Sequence, residues 1–317
     1  MKEVLLNKLK INFPLVQAGM VWVSGAKLAA ACAKEGILGT IGAGSMPPDL
    51  LRAQIKKAHG QLNNLDERHR VAVNFPLIYS GIKEQLQVAI DEGVNVFITS
   101  AGSPNLFTKE LKSKNKIVIH VTSSPQLAKK CELAGVDAVI AEGFEAGGHN
   151  GREELTTMVL IPQVVNALKI PIIAAGGIAD GRGIVAALSL GASAVQMGTR
   201  FMMTVESSAH ENYKKRLIAA ESNETFLRLK KDVPVRLLNN KFAQEIAELE
   251  QRCATLEEIK AHLGKGRAKL GMHDGELDEG ELEVGQIVGL IEDITSCKLL
   301  IQALKQQYHS TLNSLIG

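Results

Sequence analysis

Apolar residues in this chain gather into short runs of four to six, separated by longer stretches in which they recur every three or four positions. The runs fall at 15–18, 37–41, 71–75, 94–99, 117–121, 136–141, 170–175 and 194–197. Each is rich in Val, Ile, Leu or Ala, the composition of strands buried on both faces. Amphipathic stretches at 25–35, 49–59, 82–91, 126–134, 160–168 and 183–190 predict helices between them. Most runs end in Gly, Ser, Asn or Pro, as at Gly19, Gly42, Asn74, Ser100 with Gly102, Gly176-Gly177 and Gly198-Thr199. Eight alternations of strand and helix fit an α/β fold of the (β/α)8 TIM-barrel type better than a doubly wound sheet. The turn residues then lie at the C-terminal ends of the strands, where such a barrel carries its active site.

After Met203 the pattern changes. Residues 205–264 read as helical and charged with no further strand, 264–280 as polar and punctuated by glycine, and 284–291 and 294–315 as closing helices. The expected organisation is a ligand-binding barrel over 1–204, completed by the helices of 284–317, with 205–283 as a helical lid or cap beside the mouth. A helical appendage that makes the protein a homodimer is the other reading of that segment.

Charge and cysteine content narrow the classes. With 36 Lys and Arg against 34 Asp and Glu, the net charge of +2 offers no basic surface for nucleic acid or an anionic membrane. No apolar run approaches a membrane span, and the mixed-charge N-terminus is unlike a signal peptide, so a cytoplasmic protein is expected. Cys32, Cys131, Cys253 and Cys297 are widely spaced and read as small hydrophobes or free thiols, and the histidines show no metal-ligand spacing.

The densest chemistry lies in Ala141-Glu-Gly-Phe-Glu-Ala-Gly-Gly-His149-Asn-Gly151, straight after the sixth run. Gly143, Gly147, Gly148 and Gly151 imply tight turns or close approach of a ligand, and among them stand two carboxylates and His149, whose side chain titrates nearest neutral pH. A glycine-rich turn with a structural histidine is the plainer alternative. Ala175, Gly176 and Gly177 end the seventh strand, and Gly198 and Thr199 end the eighth. Glycine N–H groups, a helix N-terminus and the Thr199 hydroxyl would face a phosphate there, while Asp180 reads as the cap of the next helix. Gly19 and Met20 offer a flat, soft surface for a planar ring. The amides of Asn74 and Gln196 can each donate and accept, which suits the edge of a flavin pyrimidine. Together these residues suggest FMN across the barrel mouth, with His149 over the reactive centre.

Four segments carry a resemblance to a known family: Pro14-Leu-Val-Gln-Ala-Gly-Met20, the 141–151 stretch, Pro171-Ile-Ile-Ala-Ala-Gly-Gly-Ile-Ala-Asp180 and Ala194-Val-Gln-Met-Gly-Thr-Arg-Phe201. They resemble the nitronate monooxygenase (2-nitropropane dioxygenase) superfamily, which includes the FMN-dependent enoyl-acyl-carrier-protein reductase II of fatty acid biosynthesis. The likeness continues through Glu206-Ser-Ser-Ala-His210 to Gly285-Gln286. It implies non-covalent FMN and a catalytic role for His149. It also places Gly147, Gly148 and Glu142 at the cofactor, though Glu142 could instead line a phosphopantetheine path or be structural. Gly19-Met-Val-Trp22 and Ser100-Ala-Gly102-Ser-Pro104 are similar to the reductase branch, which puts Trp22, Ser100 and Gly102 on the substrate side. Asn150 stands where the monooxygenases compared tend to have Arg.

The reductase branch implies NADH or NADPH as reductant, an enoyl group on acyl-carrier protein as substrate and, in some members, a monovalent cation. The alternative is oxidation of an alkyl nitronate with O2. A flavin-binding protein without turnover is the third reading.

Overall fold

The computed structural model describes residues 1–316, and all eight expected runs form strands. They are β1 (Leu15–Gln17), β2 (Gly39–Gly42), β3 (Val71–Pro76), β4 (Val96–Ser100), β5 (Ile117–Thr122) and β6 (Ala138–Glu142). After a two-residue strand outside the barrel, β7 (Gly148–His149), come β8 (Ile172–Ala175) and β9 (Ala194–Met197). The parallel order is β1-β9-β8-β6-β5-β4-β3-β2. Gln17 N–H donates to the Leu38 carbonyl at 2.8 Å and Leu38 N–H to that of Leu15 at 3.2 Å, which joins the two outer strands into a (β/α)8 barrel.

Alternate residues along each strand enter different cores, as the period of two demands. Val16, Ile98, Ile119, Ile140 and Ile173 fill the barrel interior, whose N-terminal end is plugged by Leu5 and Leu9 of the helix Lys2–Leu9. Their neighbours Leu15, Phe97, Val118, Val139 and Ile172 pack outward against the helices. Polar turn residues are thereby left to the other end, where the functional loops gather.

The helices follow the amphipathic stretches closely, and Ile82–Asp91 does so residue for residue. A short helix the pattern did not predict, Thr108–Ser113, joins β4 to β5, and Leu111 is one of only two residues it buries. The helix expected at 160–168 begins earlier, as Thr157–Ala167. The last helix, Cys297–Ile316, packs on Gly181–Ser189, where a Cβ on Gly181 would lie 2.3 Å from the Tyr308 nitrogen.

The region after the barrel departs from expectation. Two strands, β10 (Thr225–Arg228) and β11 (Val235–Leu238), form an antiparallel hairpin where only helices were predicted, so the cap is mixed rather than helical. Each is four residues long, and Arg228 and Arg236 interrupt its apolar run, too little signal for a period-two reading. Leu229, Val235, Leu237, Phe242, Ile246 and Ile259 give this region its own small core. The helix expected at 284–291 is only a 3-10 turn, Gln286–Leu290. No helix among the described residues is long and apolar enough to cross a membrane.

Candidate active site

A cavity of about 400 Å³ opens at the C-terminal ends of the barrel strands and is roofed in part by the cap. Of the residues the sequence singled out, Gly19, Met20, Asn74, Ser100 and Gly102 line its side nearest β1, β3 and β4. Glu142, Gly147, Gly148 and His149 line the next sector, and Ala175, Gly176, Gly177, Gln196, Gly198 and Thr199 complete it. Trp22 is the exception, since it is not among the residues that line the cavity. It sits at positive φ, its ring edge-on to His273 at 6.1 Å with the Lys269 ammonium over it at 5.8 Å.

The glycine loop after β6 is held from several directions. Both Glu145 carboxylate oxygens accept from the Thr157 N–H, at 3.0 and 2.9 Å, capping the helix Thr157–Ala167 from outside its own turn. Arg236, fully buried on β11, donates twice to the Phe144 carbonyl (3.1 and 2.9 Å) and lies over the Phe144 ring at 4.4 Å. The Asn150 amide donates to the Ala146 and Gly148 carbonyls, so this side chain fastens the turn. Gly148–His149 pairs antiparallel with Val235–Arg236, which carries His149 at the exposed end of a strand shared with the cap. The sequence reading took this stretch as a free loop. Its partner strand lies 86 positions away (149 to 235), beyond the reach of local pattern.

Two glycines have roles other than the predicted contact with a ligand. A Cβ on Gly19 would lie 2.5 Å from the Asn74 Cβ, so the close approach of the turn after β1 to the Asn74 side chain requires glycine there. A Cβ on Gly147 would lie 2.4 Å from the Val284 carbonyl carbon, where the loop meets the cap. Gly198 differs: its nearest protein atoms would be Met20 Sδ at 3.5 Å and Ala18 Cβ at 3.7 Å, which leaves its face open to the cavity.

The residues present fit FMN. Gln196 is buried, and its amide makes no hydrogen bond to the described residues, so donor and acceptor are both free toward the cavity. The Thr122 hydroxyl, in the same wall, is also buried without a partner. Asn74 spends only its amine, on the Ile98 carbonyl and the Ser100 hydroxyl at 3.4 Å each. Gly176 and Gly177 sit at φ +87° and +69°, left-handed backbone that glycine adopts freely, and neither N–H donates to another backbone carbonyl among the described residues. The Thr199 hydroxyl accepts from Gly285 N–H at 3.0 Å and keeps its own proton to donate. The helix after β8 does not contribute its N-terminus, because Asp180 accepts from the N–H groups of Arg182 and Gly183 as the sequence predicted.

Burial sets the charges of the wall. The Glu142 carboxyl, at the end of β6, is pushed up to about 7 by burial, which poises it to act as acid or base near neutral pH. Three further groups escaped the sequence reading. His120 on β5 bonds Thr99 Oγ1 through Nδ1 at 2.6 Å, and burial lowers it to about 4, which keeps its imidazole neutral. Glu283 enters the cavity wall from the cap, its carboxyl raised by burial and drawn back down by His149. Glu281, two residues earlier, is pushed up to about 8 by burial and by Glu283. Glu281 and Glu283 stand just past the polar, glycine-punctuated stretch of 264–280, and nothing local there signals burial.

A parallel barrel with a glycine-walled cavity at the C-terminal ends of its strands and an imidazole at the rim is the frame of an oxidoreductase. The chain belongs to the nitronate monooxygenase family, whose model matches residues 2–307 and whose members are in general FMN enzymes. It is 30% identical over 96% of its length to (3aS,4S,5R,7aS)-5-hydroxy-7a-methyl-1-oxo-octahydro-1H-indene-4-carboxyl-CoA dehydrogenase of Mycobacterium tuberculosis, covering 95% of that protein. A probable nitronate monooxygenase of Staphylococcus saprophyticus is 31% identical over 94% of this chain and 95% of its own. Among solved structures, FabK from Thermotoga maritima superposes with a TM-score of 0.93 at 39% identity, covering 99% of this chain and 98% of the other.

Proposed function

We propose that the protein is an FMN-dependent, NAD(P)H-consuming enoyl-acyl-carrier-protein reductase. The observation that carries this reading is the likeness to FabK, an enoyl-acyl-carrier-protein reductase II, along nearly the whole chain, at 39% identity against 30 and 31% for the two curated relatives. Local chemistry supports it. The cavity rim is apolar where Ile78, Pro104 and Leu127 meet, and Ile78 and Leu127 are exposed, an entrance suited to an acyl chain. Inside, burial biases the carboxyls of Glu142 and Glu283 toward their neutral forms, which suits an uncharged thioester.

Bound FMN would supply the hydride chemistry that links oxidation of the nicotinamide to reduction of the double bond. Gln196 and Asn74 would hold the edge of its ring, and Gly176, Gly177, Gly198 and Thr199 its phosphate. His149 would stabilise the enolate or deliver the proton to the α-carbon, from the rim where substrate arrives.

A second reading, oxidation of alkyl nitronates with O2, is supported by the Staphylococcus relative. Anaerobic bleaching of the FMN-loaded protein separates the two. Bleaching by NADH or NADPH, reversed by an enoyl thioester, is the expected result. Bleaching by an alkyl nitronate with both nicotinamides inert would overturn the proposal in favour of the second reading. A flavoprotein that neither reductant bleaches would be a binding protein without turnover.

A further inference from the structure

The cavity wall holds one lysine and, among the described residues, no arginine. That lysine, Lys130, stands on the helix Pro125–Ala134, which follows β5, and has no part in the reading above. The helix buries Ala128 and Cys131. Residues three or four apart on a helix share a face. Cys131, Leu127 and Lys130 therefore follow one another around it from its buried side to its exposed side, and all three line the cavity. Side chains on a helix lean toward its N-terminus, which carries the Lys130 ammonium back toward Leu127 and the mouth.

The carboxylates around this helix are engaged elsewhere. Lys129 pairs with Glu132, which also accepts from the Lys169 N–H at 2.6 Å. Glu153 accepts from the Ser123 hydroxyl at 2.9 Å. Lys130 itself makes no ion pair or hydrogen bond to the described residues and stands exposed at the cavity with its charge uncompensated. FMN does not supply the missing anion. On the reading above its phosphate lies after β8 and β9, and β6 separates those strands from β5.

We propose that Lys130 forms a second anion subsite, for the phosphate ester of a phosphopantetheine arm that carries the substrate thioester. This rests on the enoyl-thioester reading of the site. The order of the chemistry matches on both sides. Such an arm has its thioester at one end, an uncharged amide chain in the middle and its phosphate at the other end. The protein presents the cavity, then the apolar rim of Ile78, Pro104 and Leu127, then a cation without a counter-ion. An exposed ammonium holds a phosphate as a point charge, so it selects by charge rather than by shape.

The test compares phosphopantetheine with pantetheine, which lacks the phosphate, as ligands of the FMN-loaded protein in a calorimetric titration. The native protein should bind the phosphorylated compound about fivefold more tightly, the scale of one exposed charge pair. Lys130→Ala should lose that preference, Lys130→Glu should reverse it and Lys130→Arg should keep it. Raising the salt from about 0.05 to about 0.5 M should shrink it, since an exposed pair is screened. Equal affinities in the native protein, or an undiminished preference in Lys130→Ala, would overturn the subsite.

In turnover, Lys130→Ala should raise KM for an enoyl phosphopantetheine thioester about fivefold, and by less for the N-acetylcysteamine thioester, which has no phosphate. A rise confined to the KM of NADH or NADPH would overturn the assignment in favour of the nicotinamide's diphosphate. Failure of every enoyl thioester to reoxidise the flavin would sink the substrate reading, whereas the binding comparison judges the subsite without turnover.

Discussion

Glu145 reaches across twelve residues to cap the helix that begins at Thr157, with both carboxylate oxygens within 3.0 Å of one backbone N–H and one of them 3.1 Å from the Thr157 hydroxyl. The contact ties the loop that carries His149 to the helix behind it. Glu145→Ala should therefore destabilise the protein by about 1–2 kcal/mol, the usual cost of losing such a cap. Hydrogen exchange at 143–149 should quicken in step. An unchanged melting temperature and exchange pattern would show that the cap contributes nothing.

Gly147 and Gly198 predict opposite outcomes for the same substitution. Gly147→Ala places a methyl 2.4 Å from the Val284 carbonyl carbon and should cost about 1–3 kcal/mol by overpacking. Gly198→Ala meets no protein atom closer than 3.5 Å, so its melting temperature should stay near native while the FMN Kd rises about tenfold. Calorimetry and a flavin titration of both variants decide it. Normal FMN affinity in Gly198→Ala would remove that face from the cofactor site.

His149 stands at the exposed rim and makes no side-chain hydrogen bond to the described residues. His149→Ala should keep bound FMN and lower turnover by about 10²–10⁴, the usual contribution of a positioned proton donor. Flavin absorbance and steady-state rates measure the two effects separately, and native turnover would end the catalytic assignment.

Glu281 predicts an alkaline weakness. Its carboxyl is raised from 4.5 to about 8, so the folded state binds a proton that the unfolded chain has released. Stability linked to this group is present below pH 4.5 and is lost progressively as pH rises toward 8. Glu281→Gln should melt higher than the native protein at about pH 9 and close to it at about pH 4, as thermal scans across that range would show. A pH-independent difference would place the effect in packing instead.

Much of the site was legible in the chain because its parts are local. Gly176-Gly177 and Gly198-Thr199 sit directly after β8 and β9, so strand pattern and turn residues together placed them at the cavity wall. Asp180 showed its capping role from its place before a helix, and the structure gives it two N–H donors. Trp22 stands two positions after Met20 in sequence, yet the turn at Met20–Ser24 sets its ring against His273, a contact no local pattern announces. The strands β10 and β11 were missed because each is four residues long and interrupted by arginine.

By itself, then, the sequence determined the barrel, the order of its strands and the end at which the cavity opens. Period-two and period-3.6 patterning are properties of neighbouring residues, and every barrel loop is anchored to the strand before it. The tertiary structure alone decided what the cap brings to that end. Glu283 and Glu281 acquire their burial, and His149 its strand partner, through pairings that join residues 148–149, 235–238 and 281–283. Contacts between segments so far apart are fixed by packing of the folded chain, and no local period records them.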